Sequence, residues 1–455
     1  MMGRLWVIFC VVLGVVSAEE SIWVELETES PLLPLYMLPM SDQGAGLDAK
    51  YLKELEGVLR YDLKYNGMTR LLPDDKKVTE ALKKVSFEDV GKAEVLKKSN
   101  AYYIVKARVK DKKLGVRLIT VNNQSVKAID GILLTGNLSK DRRQIHRVAD
   151  TLYKELFGTP GIASTHILFT NKAWCPRTKK MVSEVYEADW DGKNARALTF
   201  DCGYAVTPTY IPPKPGNAAG AFFYVAYPGG QPKIYYSSLK EFKPVKFSSM
   251  RGNQLMPAVT QGRDQVAFIS DITGNPDLFV QPIHEDGSLN GKPSQIFSAY
   301  KATQGTPTFS PDGKKIAFVS NKDGAARVYV MDVPGPGVSV RDLKPNLVSR
   351  HTKESTAPAW SPDGKKIAYT SRTDGVRQIW VFDLEKNQER QLTKGPGNKE
   401  NPAWGPDSLH LVFNCTKDEI ADLYVLNLNQ PEAVKLDMTE LGKGSRRFPS
   451  WEPRF

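Results

Sequence analysis

Histidine and cysteine are scarce, five and four among 455 residues. The histidines stand at 146, 166, 284, 351 and 410 and form no H-E-x-x-H pair, and no two cysteines have zinc-ligand spacing. Zinc-ribbon and metallopeptidase chemistries find no ligand set here, so no metal and no cofactor are expected. His146 falls on a helix and is expected on its surface. Gly442-Lys443-Gly444-Ser445-Arg446 fails the G-x-S-x-G pattern at its last position, and Gly291-Lys292-Pro293-Ser294 lacks the loop of a phosphate-binding Walker sequence. Gly44-Ala45-Gly46-Leu47-Asp48-Ala49 fits G-x-G-x-x-A, but no strand ending in an acid follows about 20 residues on; it reads as a flexible turn that starts a helix. Long apolar runs are missing apart from residues 5–16, too short to span a membrane. That run follows Arg4 and leads to Val16-Ser17-Ala18 and then Glu19, the pattern of a secretory signal over residues 1–18. A soluble exported chain, without membrane insertion, is expected.

The formal net charge is +11. The lysines are spread through turns (Lys314, Lys315, Lys365, Lys366) rather than gathered on one helix, and nucleic-acid-binding motifs are absent. A solvated basic surface is the expectation, with weak attraction to anionic envelope polymers.

What is present is a repeat. Ala357-Pro358-Ala359-Trp360-Ser361-Pro362-Asp363-Gly364-Lys365-Lys366-Ile367-Ala368-Tyr369 has a near copy in residues 306–318 and a third in residues 401–413; weaker copies begin around Pro257 and Pro208. Pro208, Pro257, Pro307, Pro358, Pro402 and Pro449 recur every 44 to 51 residues, the period of a propeller blade. Ser-Pro-Asp-Gly suits a tight turn, since Pro presets φ, Asp accepts local backbone hydrogen bonds and Gly takes positive φ. Asp312, Asp363 and Asp407 are therefore turn formers rather than catalytic acids, and no catalytic residue is expected. Short β-branched runs such as Arg327-Val328-Tyr329-Val330-Met331-Asp332 follow, giving four short strands per repeat.

The last copy, Phe448-Pro449-Ser450-Trp451-Glu452-Pro453, stops after its first strand, while residues 165–170, 182–189 and 196–199 lack a leading Pro-x-Trp strand. Joined, they make one blade and close a ring of six, which removes exposed sheet edges. Cys175 and Cys202 then fall in turns on one face of that blade, where a disulfide is expected in an oxidising compartment. Cys415 shares a repeat column with Ser270, Ser320 and Ser371 and reads as a buried small residue.

Ahead of the propeller, residues 31–158 read as a small α/β domain, and Pro160-Gly161 marks the hinge into the propeller of residues 159–455. Leu52, Leu55, Leu59 and Leu63 share one face of a helix over 47–65 that Gly67 ends. A second helix, capped by Ser139, carries Ile145, Val148, Ala149, Leu152 and Leu156 in phase and ends at Gly158. Residues 19–30 alternate, with Ile22, Val24 and Leu26 against Trp23, Glu25 and Glu27; they read as a strand lacking an obvious partner, either a frayed edge or a segment that adds to another protein's sheet. Within the propeller the scaffold is uniform, whereas the residues just before each marker proline vary and sit where the innermost strands begin. That variation makes one channel mouth the candidate recognition surface.

The signal, the small α/β domain and the Pro-x-Trp-Ser-Pro-Asp-Gly propeller ending in Phe448-Pro449-Ser450-Trp451-Glu452-Pro453 together resemble the TolB family of the Tol-Pal system, across essentially the whole mature chain. The resemblance implies a non-enzymatic, monomeric adaptor of the periplasm that supports outer-membrane integrity and envelope constriction in cell division, with other envelope proteins as further partners. It implies that the lipoprotein Pal binds at the channel mouth, through Asn253, Gln254, Leu255, Gln304, Thr306, Glu354, Thr356, Lys399, Glu400, Arg446 and Arg447. It also implies that TolA is engaged by residues 19–30, through Ile22, Trp23, Val24 and Leu26. The alternative is an exported propeller that binds or hydrolyses a small sugar or peptide ligand in its channel. The innermost-strand phrases carry Ala, Thr, Ser and Trp rather than inward His/Asp/Glu sets, which favours the adaptor.

Overall fold

The computed structural model describes residues 21–24, 32–335, 338–430 and 432–454. The signal of residues 1–18 and Leu26 of the alternating segment lie outside them. The chain forms an α+β domain followed by a closed six-bladed β-propeller. In the first domain, strands Leu33–Met37 and Thr69–Leu71 pair in parallel, Leu33–Met37 pairs in parallel with Tyr103–Lys110, and Lys113–Thr120 and Ser125–Leu133 follow antiparallel. Helices α1 (Ala49–Tyr65) and α4 (Leu138–Phe157) cover one sheet face; α2 (Lys76–Lys83) and α3 (Ala93–Lys97) bury Leu82 and Leu96 on the other. Leu52, Leu55, Leu59 and Leu63 are buried, as their 3–4 spacing requires of a helix with one apolar face. The cap of α4 is Asn137, accepting from Lys140 N, rather than Ser139; the helix starts at Leu138 because the first side chain able to reach a free backbone N–H ends the preceding loop.

Blade 1 orders its strands Arg196–Ala197, Lys180–Asp189, His166–Cys175 and then Ser445–Trp451. The C-terminal strand is thus the innermost strand of the first blade and closes the ring. Trp451 Nε1 donates to Thr165 Oγ1 at 2.8 Å, and Glu452 accepts from both the backbone N and the imidazole of His166. Blades 2 to 6 begin with the innermost strands Ala205–Tyr210, Gln254–Val259, Gln304–Phe309, Ser355–Trp360 and Asn398–Trp404. Asp312 and Asp363 accept from their turn's Ser hydroxyl and from the N–H two residues on, and Gly313 and Gly364 take φ of 69° and 76°. Cys175 and Cys202 are joined by a disulfide, and Cys415 is a buried thiol opposite Lys399.

The innermost strands run from a front mouth, where they begin, to a rear mouth that carries the Ser-Pro-Asp-Gly turns of blades 4 and 5. The α+β domain sits on the rear mouth over blades 6 and 1: His410 Nε2 meets Tyr65 O at 2.8 Å, Asn429 donates to Gly67 O and Arg454 to Asp150 at 3.3 Å. Gly67 is required there, because a Cβ would fall 1.9 Å from Asn427 Nδ2. A cavity of about 650 Å³ lies between them, lined by Tyr153, Ile162, Phe309, Trp360, Trp404 and Trp451.

Two further expectations are corrected. The segment around Ile22 has a partner: Trp23 and Val24 pair with Lys394 and Thr393, Ala433 N donates to Ile22 O, and Ile22 and Val24 are 2% and 6% exposed among apolar residues of blades 5 and 6. A long-range pairing of this kind leaves no local signal, since both edges come from separate parts of the chain. His146 is 1% exposed rather than on a helix surface, because the face of α4 opposite the sheet packs onto the propeller. Burial works against its charge, but Asp62, hydrogen-bonded to it, and Asp191 and Asp189 raise the imidazole to about 9; burial pushes the Asp62 carboxyl up to about 6.

Candidate functional site

Six bulges build the front mouth. In every innermost strand the ladder to the next strand slips one residue before the marker proline, which has no N–H to donate. The residue at the slip is Thr207, Met256, Thr306, Ala357, Asn401 or Phe448, and all six have positive φ between 37° and 55°. Non-glycine residues in that region carry of order 1–3 kcal/mol of strain each and concentrate at functional sites. Thr207 Oγ1 and Thr306 Oγ1 are buried without a hydrogen-bond partner among the described residues. Here six strained residues of five different types wall one channel.

Strand alternation then sorts the eleven residues expected to face a partner. Gln254, Gln304, Lys399 and Arg446 do not face the mouth: they are 0%, 2%, 0% and 7% exposed. Each stands three residues before a marker proline, on the strand face that looks into the blade, where its head group satisfies groups of its own and the preceding loop. Gln254 donates to Met250 O and Ser248 Oγ; Gln304 donates to Asp277 and accepts from Ser320; Lys399 donates to the carbonyls of Gly395 and Pro396; Arg446 donates to Asp422 and Gly442 O. Ser355 holds the same position in blade 5 and bonds Ser371 and Thr352. Burial pushes the Lys399 ammonium down to about 8.

Glu354, Glu400 and Arg447 are brought together. Glu354 pairs with Arg372 at 3.1 Å and Arg377 at 3.3 Å, Arg377 also holds Glu400, and Glu400 lies 3.8 Å from Arg447. These half-buried and exposed side chains form an arc of alternating charge over blades 5, 6 and 1. Leu255, Thr306 and Thr356 are half-buried along the same rim, and Asn253 is tied to Asp271 by its N–H and its amide. Arg372 and Arg377 escaped sequence reasoning because they lie in the hairpin between Lys366–Thr373 and Val376–Asp383, outside the innermost strands. The signal available was that hairpin's extra length, which carries it past the rim. Alternating charges that already pair with one another are held rigid and displayed, which suits recognition of a complementary protein surface better than proton transfer.

A closed six-bladed propeller capped on one mouth by an α+β domain, with the other mouth strained and charged, defines a two-domain propeller protein. A profile described as the TolB beta propeller domain matches residues 153–344 and again 335–454. The TolB homolog of Protochlamydia amoebophila is 48% identical over 384 residues, 84% of this chain and 82% of that protein. The homolog of Chlamydia pneumoniae is 35% identical over 387 residues, 83% and 86% of the two chains. The crystal structure of TolB from Acinetobacter baumannii superposes with a TM-score of 0.74 at 18% identity, covering 96% of this chain and all of that one, and shares its fold. The chain belongs to the TolB family, the propeller proteins of the periplasmic Tol-Pal system. No described helix is long and apolar enough to cross a membrane.

Proposed function

We propose that this protein is a non-enzymatic periplasmic adaptor of the Tol-Pal system that binds the lipoprotein Pal at the front mouth and TolA through residues 19–30, supporting outer-membrane integrity and constriction at division. The observation that carries the reading is the division of labour between the mouths. The rear mouth is covered by the α+β domain, whereas the front mouth displays the Glu354–Arg377–Glu400–Arg447 arc beside six strained bulges. Of the segment that would engage TolA, Ile22, Trp23 and Val24 lie on the cleft between blades 5 and 6, where Trp23 and Val24 pair, Trp23 is half-exposed and Ile22 and Val24 are buried. Engagement of TolA through Ile22 and Val24 therefore requires the segment to leave the cleft. Crosslinking from cell envelopes with the mature protein tests the adaptor reading. Recovery of a lipoprotein with a peptidoglycan-binding domain, lost on Glu354→Lys, supports it; recovery of a sugar or peptide in the channel and of no protein partner overturns it.

A further inference from the structure

Where α1 and α4 meet blade 1, carboxylates and imidazoles are buried beside the apolar packing. Asp62 from α1, His146 from α4, Asp189 at the end of strand Lys180–Asp189 and Asp191 in the turn after it are all buried. Asp62 accepts from His146 Nδ1 at 2.8 Å and from Trp190 Nε1 at 2.9 Å, which fixes the ring. The other ring nitrogen, Nε2, has no hydrogen-bond partner among the described residues and faces two carboxylates, Asp189 Oδ2 at 3.8 Å and Asp191 Oδ2 at 3.9 Å. The three ligand atoms lie within 4.8 Å of one another.

We propose that His146, Asp189 and Asp191 form a binding site for one divalent transition-metal ion of the zinc class, which clips the α+β domain to the propeller. Two features carry this. First, two atoms bound at roughly 2.0–2.2 Å to one tetrahedral ion stand about 3.3–3.6 Å apart. The two separations from His146 Nε2, 3.8 and 3.9 Å, are too long for hydrogen bonds and a few tenths of an ångström too wide for a shared ion, and the whole set, within 4.8 Å, would draw in around it. Second, a metal-bound histidine characteristically donates its second N–H to a carboxylate, and Asp62 is that acceptor. Arg142 and Asn194 donate to the Asp191 and Asp189 oxygens assigned to the ion, and each carboxylate oxygen has a second lone pair for it. One imidazole with two carboxylates suits zinc and neighbouring first-row ions better than calcium or magnesium. The ligands come from α4 of one domain and one turn of the other, so the ion would act across the junction.

The mature protein, stripped with chelator and titrated with Zn²⁺, is expected to bind one equivalent and to gain several degrees in melting temperature. His146→Gln and Asp191→Asn are expected to abolish both, and an anomalous difference map at the zinc edge should peak between the three side chains. Binding of under a tenth of an equivalent, a peak elsewhere, or stoichiometry unchanged in a folded His146→Gln variant overturns the proposal. Because wild-type stoichiometry and peak position decide the matter, a variant that fails to fold leaves the test intact.

Discussion

At the scale of single residues, the front mouth shows how one strand period divides structure from recognition. Lys399 is buried with only carbonyls around its ammonium, so burial lowers its affinity for a proton to about 8 from the ordinary 10.5. Between those values the unfolded chain binds the extra proton, so stability rises with pH across that window and the full penalty stands below it. Replacing Lys399 with Met is expected to flatten that rise, read as the denaturant midpoint at pH 7.5 and 10. The bulges make a second prediction. Ala357 has φ of 50°, whereas Ala359 lies in the regular part of the same strand. Ala357→Gly relieves the strain that glycine's extra chain entropy offsets and is expected to leave stability within about 0.5 kcal/mol, while Ala359→Gly costs about 0.5–1 kcal/mol. Equal costs at both positions would show that the positive φ is unstrained.

At the scale of elements, the closed ring rests on its first blade, whose strands come from both ends of the propeller. The Cys175–Cys202 disulfide closes a loop with sequence separation 27 beside that seam. Reduction is expected to cost about 2–4 kcal/mol, measured by guanidinium unfolding with and without reductant. The docked segment is held differently, by two paired residues and the side chains of Ile22 and Val24. Ile22→Ala removes a core contact worth about 2–4 kcal/mol from a short pairing. The amides of Trp23 and Val24 should then exchange rapidly while the melting temperature of the propeller stays unchanged; continued protection would show that other contacts hold the segment. Much of this level was legible in the sequence. The marker prolines recur because each blade needs the same bulge, the Ser-Pro-Asp-Gly turns of blades 4 and 5 mark the hairpins that follow, and the orphaned Phe448–Trp451 phrase pointed to the seam. The facing of Gln254, Gln304, Lys399 and Arg446 was not legible, because a bulge resets the alternation that a flat strand would show. The seating of Ile22 and the burial of His146 were hidden for another reason. Their partners lie far away in sequence, and no periodicity records contacts between separate domains.

At the scale of the whole molecule, the two mouths have opposite fates. The rear mouth is covered through His410, Asn429, Gln430 and Arg454, with the buried Asp62–His146 pair at the junction. The front mouth keeps its charges on display, and the alternation of Glu354, Arg377, Glu400 and Arg447 sets which surface can dock there. Reversing one member leaves two like charges adjacent and a partner's complementary group unpaired, whereas reversing a rear-mouth turn residue such as Asp312 disturbs neither. Calorimetric titration of the mature protein with the soluble domain of its Pal lipoprotein separates the two faces. Binding weakened at least tenfold by Glu354→Lys and unchanged by Asp312→Lys is the expected result; affinity untouched by Glu354→Lys but lost on Asp312→Lys would place recognition at the rear mouth and contradict the assignment.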